Sequence, residues 1–142
     1  MKVLCVCLGN ICRSPAAEAA LRARAPDWEI DSAGTGNWHV GQPPYGPMIA
    51  AAAARGLDLA ALRARQVTPR DFERFDLIVV MDEANRRDVE AIRPSGAATP
   101  VRLFAGGPVP DPYYTRDFEG ALDLIEAAAD AMVSDMTAAP RR

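Results

Sequence analysis

Cys5, Cys7 and Cys12 are the chain's three cysteines, and all lie in the stretch VLCVCLGNICRSPAAEAA, Val3 to Ala20. Cys7 and Arg13 bracket five residues that follow a short apolar run and precede Ser14-Pro15. A tight segment between a buried strand and a helix N-terminus turns successive backbone N–H groups inward and makes an anion cradle. Cys7, at its start, would sit near those donors, the helix dipole and the Arg13 guanidinium, all of which attract negative charge. A thiolate is a good nucleophile toward phosphorus, and arginine offers a planar fork for two phosphoryl oxygens. A Cys and an Arg at this spacing form a weak pattern in a chain with fifteen arginines. Its setting, with Gly9 to permit the turn, makes it informative.

Other residues with chemical potential lie far along the chain. Asp111-Pro112 is an ordinary turn signal, but Tyr113 and Tyr114 beside it supply aromatic rings suited to flanking a phenyl ring. Trp38 stands in a Gly-rich segment, where a tryptophan is hard to justify as core unless it packs on the neighbouring helix. Asp82, after an apolar run, either caps the next helix or orients an arginine. His39 is the single histidine. A zinc site would need it together with Cys5, Cys7 and Cys12, whose strand-and-loop placement does not suit tetrahedral coordination, so no metal is expected. Cys5, inside the apolar run, reads as core.

These residues must be positioned by strands and helices that the pattern also indicates. Val3 to Cys7 and Asp76 to Met81 read as strands buried on both faces, Trp28 to Ile30 as a short strand and Val101 to Phe104 as a weaker one. Helices are expected from Ser14, as N-cap, to Arg24, ended by Pro26, and from Met48 to Arg55, stopped by Gly56. Another runs from Asp82 to Ile92, and a last one carries the stripe Phe118, Leu122, Ile125, Ala129, Met132 and Met136. The segment DSAGTGNWHVGQPP, Asp31 to Pro44, and the segment AGGPVPDPYY read as loops, and the terminal TAAPRR as a frayed end. Alternating strands and helices imply an α/β fold with a parallel sheet covered on both faces. Ligands in such folds bind beyond the C-terminal strand ends, so the loops starting at Cys7, Asp31 and Ala105 are candidate walls of one site.

With 142 residues, 49% of them hydrophobic, the chain suits one domain spanning 1–142. The net charge is −3, with one Lys and no dense basic block, which argues against a nucleic-acid partner. The apolar run near the N-terminus is too short for a signal peptide or membrane span, so a cytoplasmic protein without membrane attachment is expected. Three clustered cysteines in a reducing compartment argue against a disulfide framework.

VCLGNICRSPAAEA resembles the phosphate-binding loop of the low-molecular-weight protein tyrosine phosphatases of bacterial type. DSAGTGNWHVGQPP, ARQVTPRDFERFDLIVVMDEANRRD and DPYY resemble later segments of that family in the same order, so the resemblance covers nearly the whole chain. It implies a three-layer sandwich, a central four-stranded parallel sheet with helices on both faces and a phosphate-binding loop after the first strand. It implies a cofactor-independent, monomeric enzyme that hydrolyses phosphotyrosine in proteins or peptides and small aryl phosphates, releasing inorganic phosphate. Cys7 would be the nucleophile forming a phosphocysteine, Arg13 the phosphoryl-binding residue and Asp111 the general acid and base. Leu8, Gly9, Asn10, Ile11, Cys12 and Ser14 would complete the phosphate site, with Trp38 on one wall and Tyr113 and Tyr114 on the other. The resemblance further implies that Asn10 holds the loop backbone, that Ser14 supports the thiolate, and that Cys12 forms a reversible disulfide with Cys7.

Two departures from the family pattern carry expectations. Leu62 stands where members often have a His that donates to the loop Asn, which predicts a thinner network around Asn10 with Ser32 as its remaining partner. Tyr45-Gly46-Pro47 replaces Asp-Pro-Arg at the pocket rim, which bears on peptide preference. Related activities fit less well: arsenate reductases need cysteines beyond Cys12, and protein-arginine phosphatases tend to carry Thr where Ile11 stands. A catalytically silent phosphotyrosine-binding module is the alternative of a different class, resting on Leu62 alone.

Overall fold

The computed structural model describes residues 1–137. In chain order the elements are β1 (Lys2–Cys7), α1 (Arg13–Arg24), β2 (Glu29–Gly34), α2 (Gly46–Ala53), α3 (Asp71–Arg74), β3 (Leu77–Val80), α4 (Glu83–Ala91), β4 (Val101–Leu103), α5 (Pro112–Thr115) and α6 (Phe118–Thr137). The strands form one parallel sheet in the order β2-β1-β3-β4.

Successive side chains of a strand point to opposite faces, and the sheet uses this period to fill two cores. Val3, Cys5 and Cys7 of β1, with Leu77 and Val79 of β3, pack on one side against α1, α2 and α6. Leu4 and Val6, with Ile78 and Val80, pack on the other against Phe72 of α3, Phe75 and Val89 of α4. This is the expected three-layer arrangement. In α6 the apolar stripe lands as read, with Leu122, Ile125, Ala129 and Met132 buried, and each large side chain fully buried contributes about 2 kcal/mol of transfer free energy. Of TAAPRR, Thr137 closes α6 and the remainder lies outside the described residues.

The structure corrects several sequence readings, most of them next to the site. β2 does not stop at Ile30 but runs to Gly34, pairing in register with β1 as far as Cys7 opposite Gly34. The Gly-rich composition concealed it: Gly34 must lack a side chain, because a Cβ there would lie 2.8 Å from the Leu8 carbonyl oxygen. Ser14 is not the N-cap of α1. That position falls to Cys12, with no side-chain capping bond, because the Ser14 hydroxyl is engaged with Cys7 instead. One short helix lies in a segment that reads as loop: Asp111 and Pro112 are the N-cap and first residue of α5. A further single turn, α3, follows Thr68-Pro69.

Candidate active site

The parallel strands all deliver their C-terminal ends to one edge of the sheet. Cys7 ends β1, Asp82 follows β3, and Asp111 lies on the connection after β4. That connection is pinned where the Val109 N–H donates to the Met81 carbonyl at 2.8 Å. The segment after β2 is tied to the Cys7–Arg13 loop by N–H donation from Thr35 to the Cys7 carbonyl and from Gly36 to the Leu8 carbonyl, both 2.9 Å. The result is a cleft of about 240 Å³ lined by Cys7, Leu8, Gly9, Ile11 and Cys12 below and by Trp38, His39, Asp111, Tyr113 and Tyr114 around it.

The loop is shaped by Asn10 more than by Gly9. Asn10 takes the left-handed conformation at φ 57°, which asparagine tolerates better than most residues. Gly9 does not; it is small so that His39 can pack over it, a Cβ there falling 3.1 Å from the imidazole Cδ2. The Asn10 amide is held at both ends. Its Oδ1 accepts from the Arg65 N–H at 3.0 Å, and its Nδ2 donates to Ser14 Oγ at 2.8 Å and to Ser32 Oγ at 3.0 Å. A backbone N–H can only donate, so the Arg65 contact fixes which end of the amide is which.

Donor directions follow along the network. Ser32 Oγ, having accepted from Asn10, donates to the buried Glu18 carboxylate at 2.7 Å. Ser14 Oγ, also accepting from Asn10, keeps its proton for Cys7 Sγ at 3.0 Å, since the Ala33 carbonyl is farther at 3.4 Å. The Asn10 N–H reaches the same sulfur at 3.3 Å. Two donors converge on Cys7 Sγ, the arrangement an anionic nucleophile requires. The network expected to be thinned by Leu62, with Ser32 as the remaining partner, keeps three bonds at the Asn10 amide, to Ser14, Ser32 and the Arg65 N–H, and Leu62 packs against the apolar core.

Arg13 is buried, at 2% exposure, at the end of the loop that begins at Cys7. Its Nη1 donates to Asp82 at 2.7 Å and to the Val109 carbonyl at 3.0 Å, and its Nη2 faces Asp111 at 3.4 Å. Burial pushes the guanidinium down, but the facing Cys7, Asp82 and Asp111 more than offset this and hold it above its ordinary value. For Asp82, burial acts upward, yet the Arg13 hydrogen bond and the N–H groups of α4 bring its carboxyl below the ordinary range. Asp82 thus fills both roles weighed for it, capping α4 through the Asn85 N–H at 2.8 Å and orienting Arg13. One donor is left over: Arg13 Nε is buried with no protein partner.

Asp111 accepts from the Tyr113 N–H at 3.1 Å, which turns its carboxylate toward the cleft side of α5. Tyr113 and Tyr114 meet edge to face, 5.2 Å between centroids, on one wall. Trp38 is 66% exposed while lining the cleft, which answers the alternative of packing on a helix. Cys5 is fully buried, as core. Burial, with the nearby Asp111 and Cys7 charges, pushes the Cys12 thiol up to about 12. Sequence reasoning considered His39 only as a metal ligand, whereas it lines the cleft between Trp38 and Tyr113. It also passed over Glu18, whose type inside an Ala-rich helix gives no sign of burial. Among the described residues no three His, Cys, Asp or Glu side chains are grouped as metal ligands would be.

A fold with this sheet order, carrying a Cys–Arg loop after the first strand and an Asp on the last connection, defines a class that comparison with known proteins specifies. A family model described as low molecular weight phosphotyrosine protein phosphatase matches residues 2–141. The low molecular weight protein-tyrosine-phosphatase of Streptomyces coelicolor is 42% identical, covering 94% of this chain and 92% of its own length. The crystal structure of YfkJ from Bacillus subtilis superposes with a TM-score of 0.89 at 35% identity, over 96% of this chain and 94% of that one. Wzb from Vibrio vulnificus, solved in complex with benzylphosphonate, gives 0.88 at 30% identity, over 94% and 97%. The chain belongs to the low-molecular-weight phosphotyrosine protein phosphatase family.

Proposed function

We propose that the protein is a protein tyrosine phosphatase acting through a phosphocysteine on Cys7. The observation that carries this reading is the unpartnered Arg13 Nε–H, buried beside a Cys7 sulfur that already receives two hydrogen bonds. Such a donor, next to inward-turned loop N–H groups, suits the equatorial oxygens of a phosphoryl group in transfer. Leu8, Gly9, Ile11 and Cys12 contribute loop backbone to the same cradle, and Trp38, Tyr113 and Tyr114 flank the phenyl ring.

In the first step Cys7 Sγ attacks phosphorus, the P–O bond to the phenol breaks, and Asp111 gives its proton to the leaving oxygen. In the second, the Asp111 carboxylate takes a proton from a water that attacks the phosphocysteine. The S–P bond breaks, inorganic phosphate leaves, and the thiolate returns. Arg13, tied to Asp82, keeps one geometry through both steps, which lowers the reorganisation each one needs.

The Asp111 role has a direct test in leaving-group dependence. Asp111→Asn is expected to slow phenyl phosphate hydrolysis by about 100-fold or more, and p-nitrophenyl phosphate far less, because only the poorer leaving group needs the proton. Equal losses on the two substrates would remove Asp111 from the acid role.

A further inference from the structure

A second recess of about 260 Å³ opens beside the cleft, with Pro43, Pro44, Tyr45 and Gly46 on its outer side. Ile11, His39 and Tyr113 line both spaces, so the recess is a trough that adjoins the cleft. At the rim Arg116 donates from Nη1 to the Tyr45 hydroxyl at 2.8 Å, its guanidinium 5.5 Å from the ring centroid. Tyr45 is itself held, edge-on to Tyr113 at 5.1 Å and stacked on Phe118 at 6.2 Å.

Arg116 differs from the arginines held among carboxylates. Arg13, Arg55 and Arg65 are each paired with two or more carboxylates, whereas the hydrogen bond of Arg116 goes to a phenol and it joins no ion pair among the described residues. The acids next to it are engaged elsewhere: Asp117 accepts from the Gly120 N–H at the start of α6, and Glu119 pairs with Arg55. Arg116 also sits in the left-handed conformation, φ 65°, where glycine would be unstrained. A cation with no carboxylate partner among the described residues is thus held, through Tyr45, at the edge of a trough that adjoins the cleft.

We propose that this trough is the subsite for the residue flanking phosphotyrosine and that Arg116 selects an acidic side chain there. The inference rests on the phosphatase reading and deepens it. The apolar prolines and Tyr45 would carry the peptide backbone, and the guanidinium, with four N–H groups beyond the one given to Tyr45, would meet the carboxylate. Pre-positioning by Tyr45 reduces the rotamer freedom lost when the pair forms. Because the pair is solvent-exposed, the preference should be moderate and should weaken with salt.

The experiment compares two phosphopeptides differing only in having Glu or Gln on both sides of the phosphotyrosine, by kcat/KM. The wild-type protein is expected to favour the Glu peptide by about three- to fivefold at low salt, and less at high salt. In Arg116→Gln the ratio should fall to about one, and Arg116→Lys, which keeps the charge, should restore part of it. An unchanged ratio in Arg116→Gln, or no preference in the wild type, would overturn the proposal. If the wild type hydrolyses neither peptide nor p-nitrophenyl phosphate, the phosphatase reading fails instead. The same ratio is then read as calorimetric affinity for the intact peptides, where equal binding of both would overturn the subsite independently.

Discussion

At the residue scale the two loop sulfurs sit in different surroundings, and that difference predicts different chemistry. Cys7 receives hydrogen bonds from Ser14 and Asn10, while Cys12 is buried with its thiol pushed up to about 12. At neutral pH Cys12 is a protonated thiol and a poor target for oxidants, which act on thiolates. Peroxide should therefore oxidise Cys7 first, to a sulfenic acid, whose hydroxyl leaves as water when the Cys12 sulfur forms the disulfide. Mild peroxide is expected to inactivate the wild-type protein in a way dithiothreitol reverses. Cys12→Ser should lose activity irreversibly, with sulfinic or sulfonic acid on Cys7. Mass spectrometry finding over-oxidised Cys7 equally in both proteins would reject protection by Cys12.

At the element scale the site depends on a buried carboxylate that joins α1 to β2. Glu18 of α1 accepts from Ser32 of β2 at 2.7 Å and pairs with Arg22 one turn on at 2.8 Å. Through Ser32, which accepts from Asn10, it is joined to the network that ends at Cys7. Burial raises its carboxyl above the ordinary 4.5, with Ser32 and Arg22 only partly opposing. A folded value above the unfolded one means that the native state binds this proton more tightly. The contribution is then fully present below that ordinary value and is lost as pH rises through the folded value. Urea unfolding from pH 4 to 7 should show the deficit of Glu18→Gln relative to wild type shrinking as pH rises. A deficit that grows with pH would reverse the sign and contradict this account of Glu18.

The same scale shows what the sequence could disclose. β1 and β3, as unbroken apolar runs buried on both faces, and α6, as an apolar stripe, were legible because burial imposes the pattern directly on neighbouring residues. β2 beyond Ile30 was not, since its last residues are chosen for close approach to the Cys7–Arg13 loop and Gly34 imitates a loop signal. Ser14 carries a helix-start signature and spends its hydroxyl on Cys7, so a local rule gave way to a contact seven residues back. Cys7, Arg13 and Asp111 were legible as types in context. The support of Asn10 Oδ1 without a histidine was not, because the Arg65 N–H that provides it comes from 55 residues away.

At the scale of the whole molecule, one sheet edge gathers groups contributed by chain segments far apart. Arg13 meets Asp82 and Asp111, 69 and 98 residues on. The parallel topology makes this automatic, since every strand ends on the same side and each following segment starts at the cleft. Among the described residues no helix is long and apolar enough to cross a membrane. Everything proposed for this edge rests on Cys7 as a nucleophile, and the most direct test is the initial rate of p-nitrophenyl phosphate hydrolysis at mildly acidic pH. It is measured with excess EDTA, for the wild-type protein and Cys7→Ser side by side. Turnover by the wild type that is abolished in Cys7→Ser is the predicted result. Equal rates for the two proteins, or no turnover by either when both bind phosphate, would contradict it.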